Sequence, residues 1–291
     1  MESAEGLFHR AIVQCSGWPD PFPREAAVEM TATYLGRLGM GNDLDRLAEL
    51  PTRTLVNGMT DGKHLRFYSV FDGVTLSETP WREKAPERSA HIPVLVGNAR
   101  HEMTYQMDPA LFALEWPDVL PQLVRFTLLP KEMMRPVLDI YRSNRPGDSP
   151  SEVFIAIMSD RLREVGIRVA ELQSVRQDGV YRYDFGYESP IPNLRAFHTS
   201  EGPLAMRLVR YPEAEELSGR ISAAWAGFAR TGNPNHSGLP AWPSYDNDRA
   251  TMMLDLESKV VHDPWPAERE AMAALPHLGT DTRALGHRPG R

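Results

Sequence analysis

The apolar positions of this 291-residue chain fall into short runs that are interrupted by turn residues. Three runs rich in aliphatic or aromatic side chains predict buried strands at 11–15, 92–97 and 180–187. Each run is short for a helix, and glycine or polar residues close it. Longer stretches with helical spacing separate the runs. The pattern therefore predicts an α/β fold, with a mostly parallel sheet flanked by helices.

Between the predicted strands, apolar residues recur at the three- and four-residue spacing of an amphipathic helix. Pro23 opens one predicted helix, which runs to about residue 38, and a shorter one covers 44–50. Several prolines divide the region 109–141 into short helices. Ser149-Pro-Ser-Glu152 is a capping-box sequence that predicts the start of a long helix to about residue 175. The last predicted helix covers 213–231 and ends at a glycine.

Turn residues predict three further features. The stretch 67–80 is typical of two short strands joined around Asp72-Gly73, a hairpin-type turn pair. The segment 232–243 is rich in glycine, proline and asparagine and predicts a loop. Residues from about 279 onward are polar and predict a frayed tail.

Composition excludes several classes of function. A formal net charge of −7 without a basic stripe argues against a nucleic-acid partner. Cys15 is the single cysteine, so neither an internal disulfide nor a CxxC metal site is possible, and we expect Cys15 to be a small buried residue in a strand. No apolar run approaches the ~18 residues of a membrane span. The N-terminus lacks the apolar core of a signal peptide, so a cytoplasmic location is the default expectation.

Two polar side chains follow predicted strands, at the position where α/β sheets build their sites. Glu102 comes just after the 92–97 strand, and His198 follows the 180–187 strand. A carboxylate followed by an imidazole is the order of the last two members of an α/β-hydrolase triad. Taken alone, Glu102 is more often a surface carboxylate, and His198 more often a loop or core histidine.

Three further residues leave alternatives open. Glu201 either supports His198 from behind as a second carboxylate or is simply solvated. Asp160 is either a buried polar anchor for the histidine loop or an exposed residue in its helix. His101 beside Glu102 suggests a metal pair, but adjacent side chains diverge and the chain has no HExxH sequence, so we expect no metal.

Five ordered segments together resemble the type-B carboxylesterases, a family of α/β-hydrolases that includes the cholinesterases and p-nitrobenzyl esterases. Glu102 lies in a segment similar to the family's box for the triad acid, and His198 in one similar to its histidine box. The segments are Gly6-Leu-Phe-His-Arg-Ala-Ile-Val-Gln14, Val70-Phe-Asp-Gly-Val-Thr-Leu76, Gly97-Asn-Ala-Arg-His-Glu102, Ala196-Phe-His-Thr-Ser-Glu201, and Trp225-Ala-Gly-Phe-Ala-Arg-Thr-Gly-Asn-Pro-Asn235 with Trp242-Pro-Ser-Tyr245.

The resemblance implies hydrolysis of small uncharged carboxylic esters through an acyl-enzyme, without cofactor or metal. It implies that Glu102 orients and stabilises the imidazole, and that His198 is the general base and acid. It also implies that residues 1–278 are the C-terminal part of one α/β-hydrolase domain, followed by a disordered tail at 279–291.

The chain departs from the family pattern around these residues. His101 and Met103 flank Glu102 where the family usually has Asp and Gly, and Thr199 follows the histidine where a small residue is common. Cys15 interrupts the family's usual Gln-Ser-Gly. These changes keep the reacting atoms but alter the shape expected of the pocket.

The larger departure is that no G-x-S-x-G nucleophile elbow and no oxyanion-hole glycines occur in this sequence. Glu2-Ser3-Ala4 lacks the small flanking residues and the preceding strand of an elbow. We therefore expect the nucleophile to lie in a missing N-terminal half or a second chain, and these residues alone to be inactive. The alternative is a catalytically inactive α/β-hydrolase remnant that serves as a binding module.

Overall fold

The structure, a computed structural model, describes residues 1–15, 20–41, 43–60 and 69–277. These residues form two compact units. The larger unit comprises 3–15 and 80–277, and the smaller comprises 1–2 together with the described parts of 20–79. The predicted tail at 279–291 lies outside the described residues, and the prediction of one domain over 1–278 stays a prediction.

Among the described residues the strands form a five-stranded sheet in the larger unit and a two-stranded sheet in the smaller. In chain order they are β1 (Ala11–Gln14), β2 (Phe22–Pro23), β3 (Val70–Phe71), β4 (Val94–Ala99), β5 (Val180–Phe185), β6 (Ala250–Leu254) and β7 (Lys259–His262). The larger sheet has the order β1-β4-β5-β6-β7. Its first four strands are parallel, and β7 is antiparallel to β6. The predicted mostly parallel sheet is confirmed.

The described α-helices are α1 (Arg24–Arg37), α2 (Thr52–Thr60), α3 (Trp116–Thr127), α4 (Lys131–Asn144), α5 (Pro150–Ser174), α6 (Glu201–Ala205), α7 (Glu215–Thr231) and α8 (Pro266–Ala273). The capping box that predicted α5 is confirmed, because Ser149 accepts from the Glu152 N–H while Glu152 accepts from the Ser149 N–H. The predicted end of α7 is also confirmed, since Gly232 has a φ of 81°.

Helices cover both faces of the larger sheet, as a parallel sheet requires. Along β5, Tyr181, Tyr183 and Phe185 pack in one core with the apolar side of α7. Val180 points the other way and packs with Ala170 of α5. Because side chains alternate along a strand, Arg182 and Asp184 share the α5 face with Val180. The sheet therefore presents an apolar face to α7 and a partly charged face to α5.

Several sequence predictions need correction. The predicted hairpin around Asp72-Gly73 is wrong for the described residues 69–80, because β3 pairs in parallel with β2. The Asp72 carboxylate instead accepts the N–H groups of Val74 and Leu76, which closes a turn where a second strand was expected. The 44–50 helix is a short 3₁₀ segment, Asp45–Glu49.

The sequence patterns missed β2, β6, β7, α2, α6 and α8 altogether. β6 has two methionines, a residue common in helices, and β7 is short and begins with a lysine. No helix in the described part of the chain is both long enough and apolar enough to cross a membrane.

Candidate active site

Glu102 is held just beyond the end of β4 by a tight turn. One of its carboxylate oxygens, Oε1, accepts the side-chain N–H of Asn98 at 3.1 Å and the backbone N–H of Ala99 at 3.0 Å. Its side chain is completely buried, and Asn98 is too. Two donors on the turn therefore fix the carboxylate in one orientation and leave Oε2 for another partner.

Gly97 is required by its neighbour on the adjacent strand. It lies opposite Tyr183 in the register of β4 and β5. A Cβ atom at Gly97 would come within 2.3 Å of the Tyr183 ring, which no side chain allows. The absence of a side chain at Gly97 lets the tyrosine lie flat across the strand beneath the site.

The loop that carries His198 is hydrogen-bonded to the turn that carries Glu102. The backbone N–H of His101 donates to the Ala196 carbonyl at 2.9 Å. The hydroxyl of Thr104 donates to the Leu194 carbonyl at 2.5 Å. These contacts hold the two segments together independently of the side chains of Glu102 and His198.

Glu102 and His198 are in direct contact, as the sequence predicts. Nδ1 of His198 lies 2.5 Å from Oε2 of Glu102. A carboxylate only accepts hydrogen bonds, so Nδ1 carries the proton and Nε2 of the neutral ring keeps its lone pair. The hydrogen bond to Glu102 raises the pKa of His198 above its usual value, although partial burial opposes the shift. The His198 side chain is 43% exposed, so the ring can meet another molecule or segment.

Glu201 lies behind this pair and is fully buried, so the solvated alternative is wrong. Its Oε1 accepts the Tyr183 hydroxyl at 2.9 Å and the Cys15 S–H at 3.1 Å. Among the described residues, Oε2 is buried without a hydrogen-bond partner. Burial, which disfavours the charged form, raises the pKa of Glu201.

Cys15 is buried as predicted, but it lies one residue past β1 and makes polar contacts. Its sulfur accepts the Thr199 N–H at 3.2 Å while its S–H donates to Glu201. Burial and then the negative charges of Glu201 and Glu102 raise the pKa of the Cys15 thiol far above its usual range. Because the thiolate is the reactive form, Cys15 is not a nucleophile in this setting.

Asp160 is a buried anchor, though for the Glu102 turn and not for the histidine loop. It accepts the Tyr141 hydroxyl at 2.5 Å and pairs with Arg163. Arg163 in turn donates to the backbone carbonyl of Arg100 at 3.1 Å and lies 3.3 Å from Asp184 of β5. The sequence did not indicate this network, because its members come from four distant segments.

His101, the neighbour of Glu102, is turned away from the site. Its Nε2 lies 3.5 Å from the Arg195 guanidinium. Burial, and then the positive charges of Arg195, Arg100 and Arg163, lower the pKa of His101 to about 3. The ring is therefore neutral at ordinary pH. Among described residues, the His, Cys, Asp and Glu side chains that could hold a metal ion together are Cys15, Glu102 and His198.

Comparison with known proteins places this chain in a family. A sequence model described as "Carboxylesterase family" matches residues 1–272. The para-nitrobenzyl esterase of Bacillus subtilis (strain 168) is 29% identical, over 94% of this chain and 58% of that protein. The acylcarnitine hydrolase of Mus musculus is 26% identical, over 88% of this chain and 51% of that protein.

Solved structures agree with the sequence matches. A carboxylesterase of Geobacillus stearothermophilus superposes with a TM-score of 0.76 at 29% identity, covering 92% of this chain and 59% of that one. A structure entitled "PNB esterase" gives a TM-score of 0.75 at 28% identity. The chain thus spans somewhat more than half the length of these relatives. On the family match, the shared α/β-hydrolase fold and the ordered motifs, the chain belongs to the carboxylesterase family.

Proposed function

We propose that this chain supplies the acid and the base of a carboxylic ester hydrolase that works through an acyl-enzyme. The observation that carries the proposal is the 2.5 Å contact between Glu102 Oε2 and His198 Nδ1 beyond the ends of two neighbouring parallel strands. The contact fixes the proton on Nδ1 and leaves Nε2 with a lone pair and access to solvent. That is the state in which an imidazole acts as a general base.

In the proposed reaction, Nε2 of His198 takes the proton of a serine hydroxyl as the serine oxygen bonds to the ester carbonyl carbon. The imidazolium then gives that proton to the leaving alcohol as the carbon–oxygen bond breaks, and an acyl-serine remains. Water repeats the two steps and releases the carboxylic acid. Glu102 keeps its negative charge throughout and stabilises the imidazolium.

The serine is proposed to come from a part of the protein outside these 291 residues. No serine here has the G-x-S-x-G surroundings of a nucleophile elbow. Ser3 is exposed on the short 3₁₀ segment Glu2–Ala4, and Met1 and Glu5 stand where an elbow has small residues. The oxyanion hole is proposed to come from the same outside part.

The proposed substrates are small uncharged esters. Tyr105 and Phe197 stack at a centroid distance of 5.6 Å, and Phe197 immediately precedes His198. Tyr105 is 56% exposed, so an aromatic surface lies beside the histidine loop and suits an uncharged group better than an ion. The name of the Bacillus subtilis relative, a para-nitrobenzyl esterase, is consistent with an aromatic ester.

The test uses p-nitrophenyl acetate hydrolysis by the longest in-frame reading frame that contains these residues. His198→Gln and Glu102→Gln are each expected to lower kcat by about 10²- to 10⁴-fold, because each removes the working base or its orientation. His262→Gln and Glu257→Gln are matched controls, since both residues are exposed and distant in sequence from the site.

The same assay separates the proposal from the alternative of an inactive binding module. The 291 residues alone are expected to give only the hydrolysis of surface imidazoles, which is insensitive to His198→Gln. A fluorophosphonate label should attach to a glycine-flanked serine in the longer protein. A longer protein that neither hydrolyses the ester nor takes the label would contradict the proposal and favour the binding module.

A further inference from the structure

The polar side chains around His198 include a thiol, that of Cys15, which acid–base catalysis does not need. The sulfur of Cys15, a carboxylate oxygen of Glu102 and a ring nitrogen of His198 lie within 4.8 Å of one another. Thiolate, carboxylate and imidazole are the three ligand types that Zn²⁺ takes in proteins. We propose that this Cys15 cluster binds a single thiophilic divalent cation of the Zn²⁺ class, and that the cation acts as an inhibitor.

The charge of the cluster favours a cation. Glu102 and Glu201 are both almost completely buried, at 3% and 0% exposed. Among the described residues, Glu102 accepts from Asn98 and the Ala99 N–H, and Glu201 accepts from Tyr183 and Cys15. These four donors are neutral, and His198 is charged only when it is protonated. No lysine or arginine in the described part of the chain pairs with either carboxylate. Buried anions without a positive partner are costly, and a divalent cation would offset that cost.

Glu201 adds a second, independent indication. Its Oε1 lies 3.1 Å from the Cys15 sulfur, while its Oε2 is buried and accepts no hydrogen bond within the described residues. A buried oxygen without a donor is rare in folded proteins. Glu201 therefore places a second buried carboxylate next to the thiol, where its negative charge would favour a bound cation.

The geometry requires only a small adjustment. Zinc–ligand bonds of 2.0–2.3 Å place tetrahedral ligand atoms roughly 3.3–3.7 Å apart. The present spacing of up to 4.8 Å must therefore close by about 1 Å at its widest, while His198 and Glu102 separate slightly. The His198 side chain is 43% exposed and can move, and it also gives the cation a route in.

Binding would switch off the acid–base pair. As the sulfur–metal bond forms, the Cys15 S–H bond breaks and its proton passes to solvent. Nδ1 of His198 gives up its proton to solvent while Nε2 takes one up, so the neutral ring coordinates through Nδ1, and coordination of Nδ1 and of the Glu102 carboxylate replaces their mutual hydrogen bond. This inhibitory consequence depends on the proposed esterase function, whereas the binding itself does not.

The experiment measures binding without activity. Because Cys15 is the only cysteine in the chain, a Cd²⁺ titration that produces a thiolate-to-metal charge-transfer band reports on this residue alone. The expected result is a band that saturates at one Cd²⁺ per chain, and calorimetry with Zn²⁺ should give the same stoichiometry. Cys15→Ser should abolish the band, and Cys15→Ala provides a second variant if the serine does not fold.

Variants of the other ligands decide whether a site exists. His198→Gln and Glu102→Gln should each weaken Cd²⁺ binding at least tenfold, whereas the exposed control His262→Gln should not. A band that keeps its affinity in His198→Gln would mean that Cys15 binds the metal as a lone thiol, and would overturn the proposal. So would Zn²⁺ binding that persists unchanged in Cys15→Ser. Metal binding as expected, in a longer protein without esterase activity, would uphold the site and refute only the esterase.

Discussion

At the scale of single residues, Thr199 has an unfavourable backbone beside the histidine. Its φ is 64°, in the left-handed region that β-branched residues rarely adopt. The conformation turns the Thr199 N–H onto the sulfur of Cys15 at 3.2 Å. The Thr199 side chain itself is exposed. The backbone of this position therefore matters to the site, and the side chain does not.

Replacing Thr199 by glycine is expected to stabilise the larger unit by about 0.5–1 kcal/mol. Relief of left-handed strain contributes about 1–2 kcal/mol, and the extra freedom of glycine in the unfolded chain offsets about half of it. Urea unfolding measures the change. Arg135→Gly, at an exposed position inside α4, is the control and should lose about 0.5–1 kcal/mol. A clear loss of stability in Thr199→Gly would contradict this interpretation.

The sequence predicted some residues of the site and missed others for a physical reason. Glu102 and His198 follow apolar strands, and the ends of parallel strands meet at one edge of a sheet. Their contact could therefore be predicted. The contacts of Cys15 with Glu201 and Thr199 depend on how β1 is placed against the histidine loop, and no local pattern encodes that placement.

At the scale of secondary-structure elements, a buried charged network joins α5 to the turn after β4. Asp184 on β5 is 1% exposed and pairs with Arg100 at 3.0 Å. Arg163 of α5 reaches both Asp184 and the Arg100 carbonyl. Because Arg100 lies two residues before Glu102, this network helps to position the turn that carries Glu102.

Asp184→Asn is expected to cost about 3 kcal/mol or more in the free energy of unfolding. The substitution keeps the shape of the side chain but removes a buried negative charge that faces both Arg100 and Arg163, so that Arg163 keeps only Asp160. Urea unfolding of the chain measures it. The exposed Asp248→Asn is the control and should change stability by less than about 0.5 kcal/mol. A loss below about 1 kcal/mol for Asp184→Asn would mean that the network does not hold the turn.

Strands and helices were predictable where their pattern is strong. β1, β4 and β5 combine apolar runs with turn residues, and α5 begins with a capping box. The prediction of a hairpin at 67–80 was wrong because Asp72-Gly73 can close a turn whether or not a second strand follows it. Local turn chemistry specifies the turn and not the pairing of its flanks.

At the scale of the whole molecule, β1 is an edge strand of the larger sheet as the described residues form it. β1 pairs with β4 on one side only, and the nearby Leu7 and Phe8 are 76% and 45% exposed. We expect the isolated chain to self-associate through this edge. Light scattering after size exclusion should detect species larger than a monomer, and fewer of them in Leu7→Lys. Leu256→Lys is the control, and a monomer at all concentrations would contradict the prediction.

The fold class and the family could be predicted from the sequence because crossover helices force parallel strands and because the motifs occur in the family's order. The division into two compact units could not, since no linker composition separates 20–79 from the rest. The antiparallel strand β7 could not be predicted from the sequence either, because a short strand at a sheet edge need not be apolar.

An NMR titration of the His198 ring shows whether Glu102 and His198 form one coupled acid–base pair. The hydrogen bond to Glu102 should hold the pKa of His198 above its usual 6.5. With a raised folded pKa, the pair stabilises the fold fully below about pH 6.5, and this contribution is lost as the pH rises through the folded value. Glu102→Gln should lower the His198 pKa, whereas Glu257→Gln should leave it unchanged. A His198 pKa at or below 6.5 that does not respond to Glu102→Gln would mean that the two residues are not coupled.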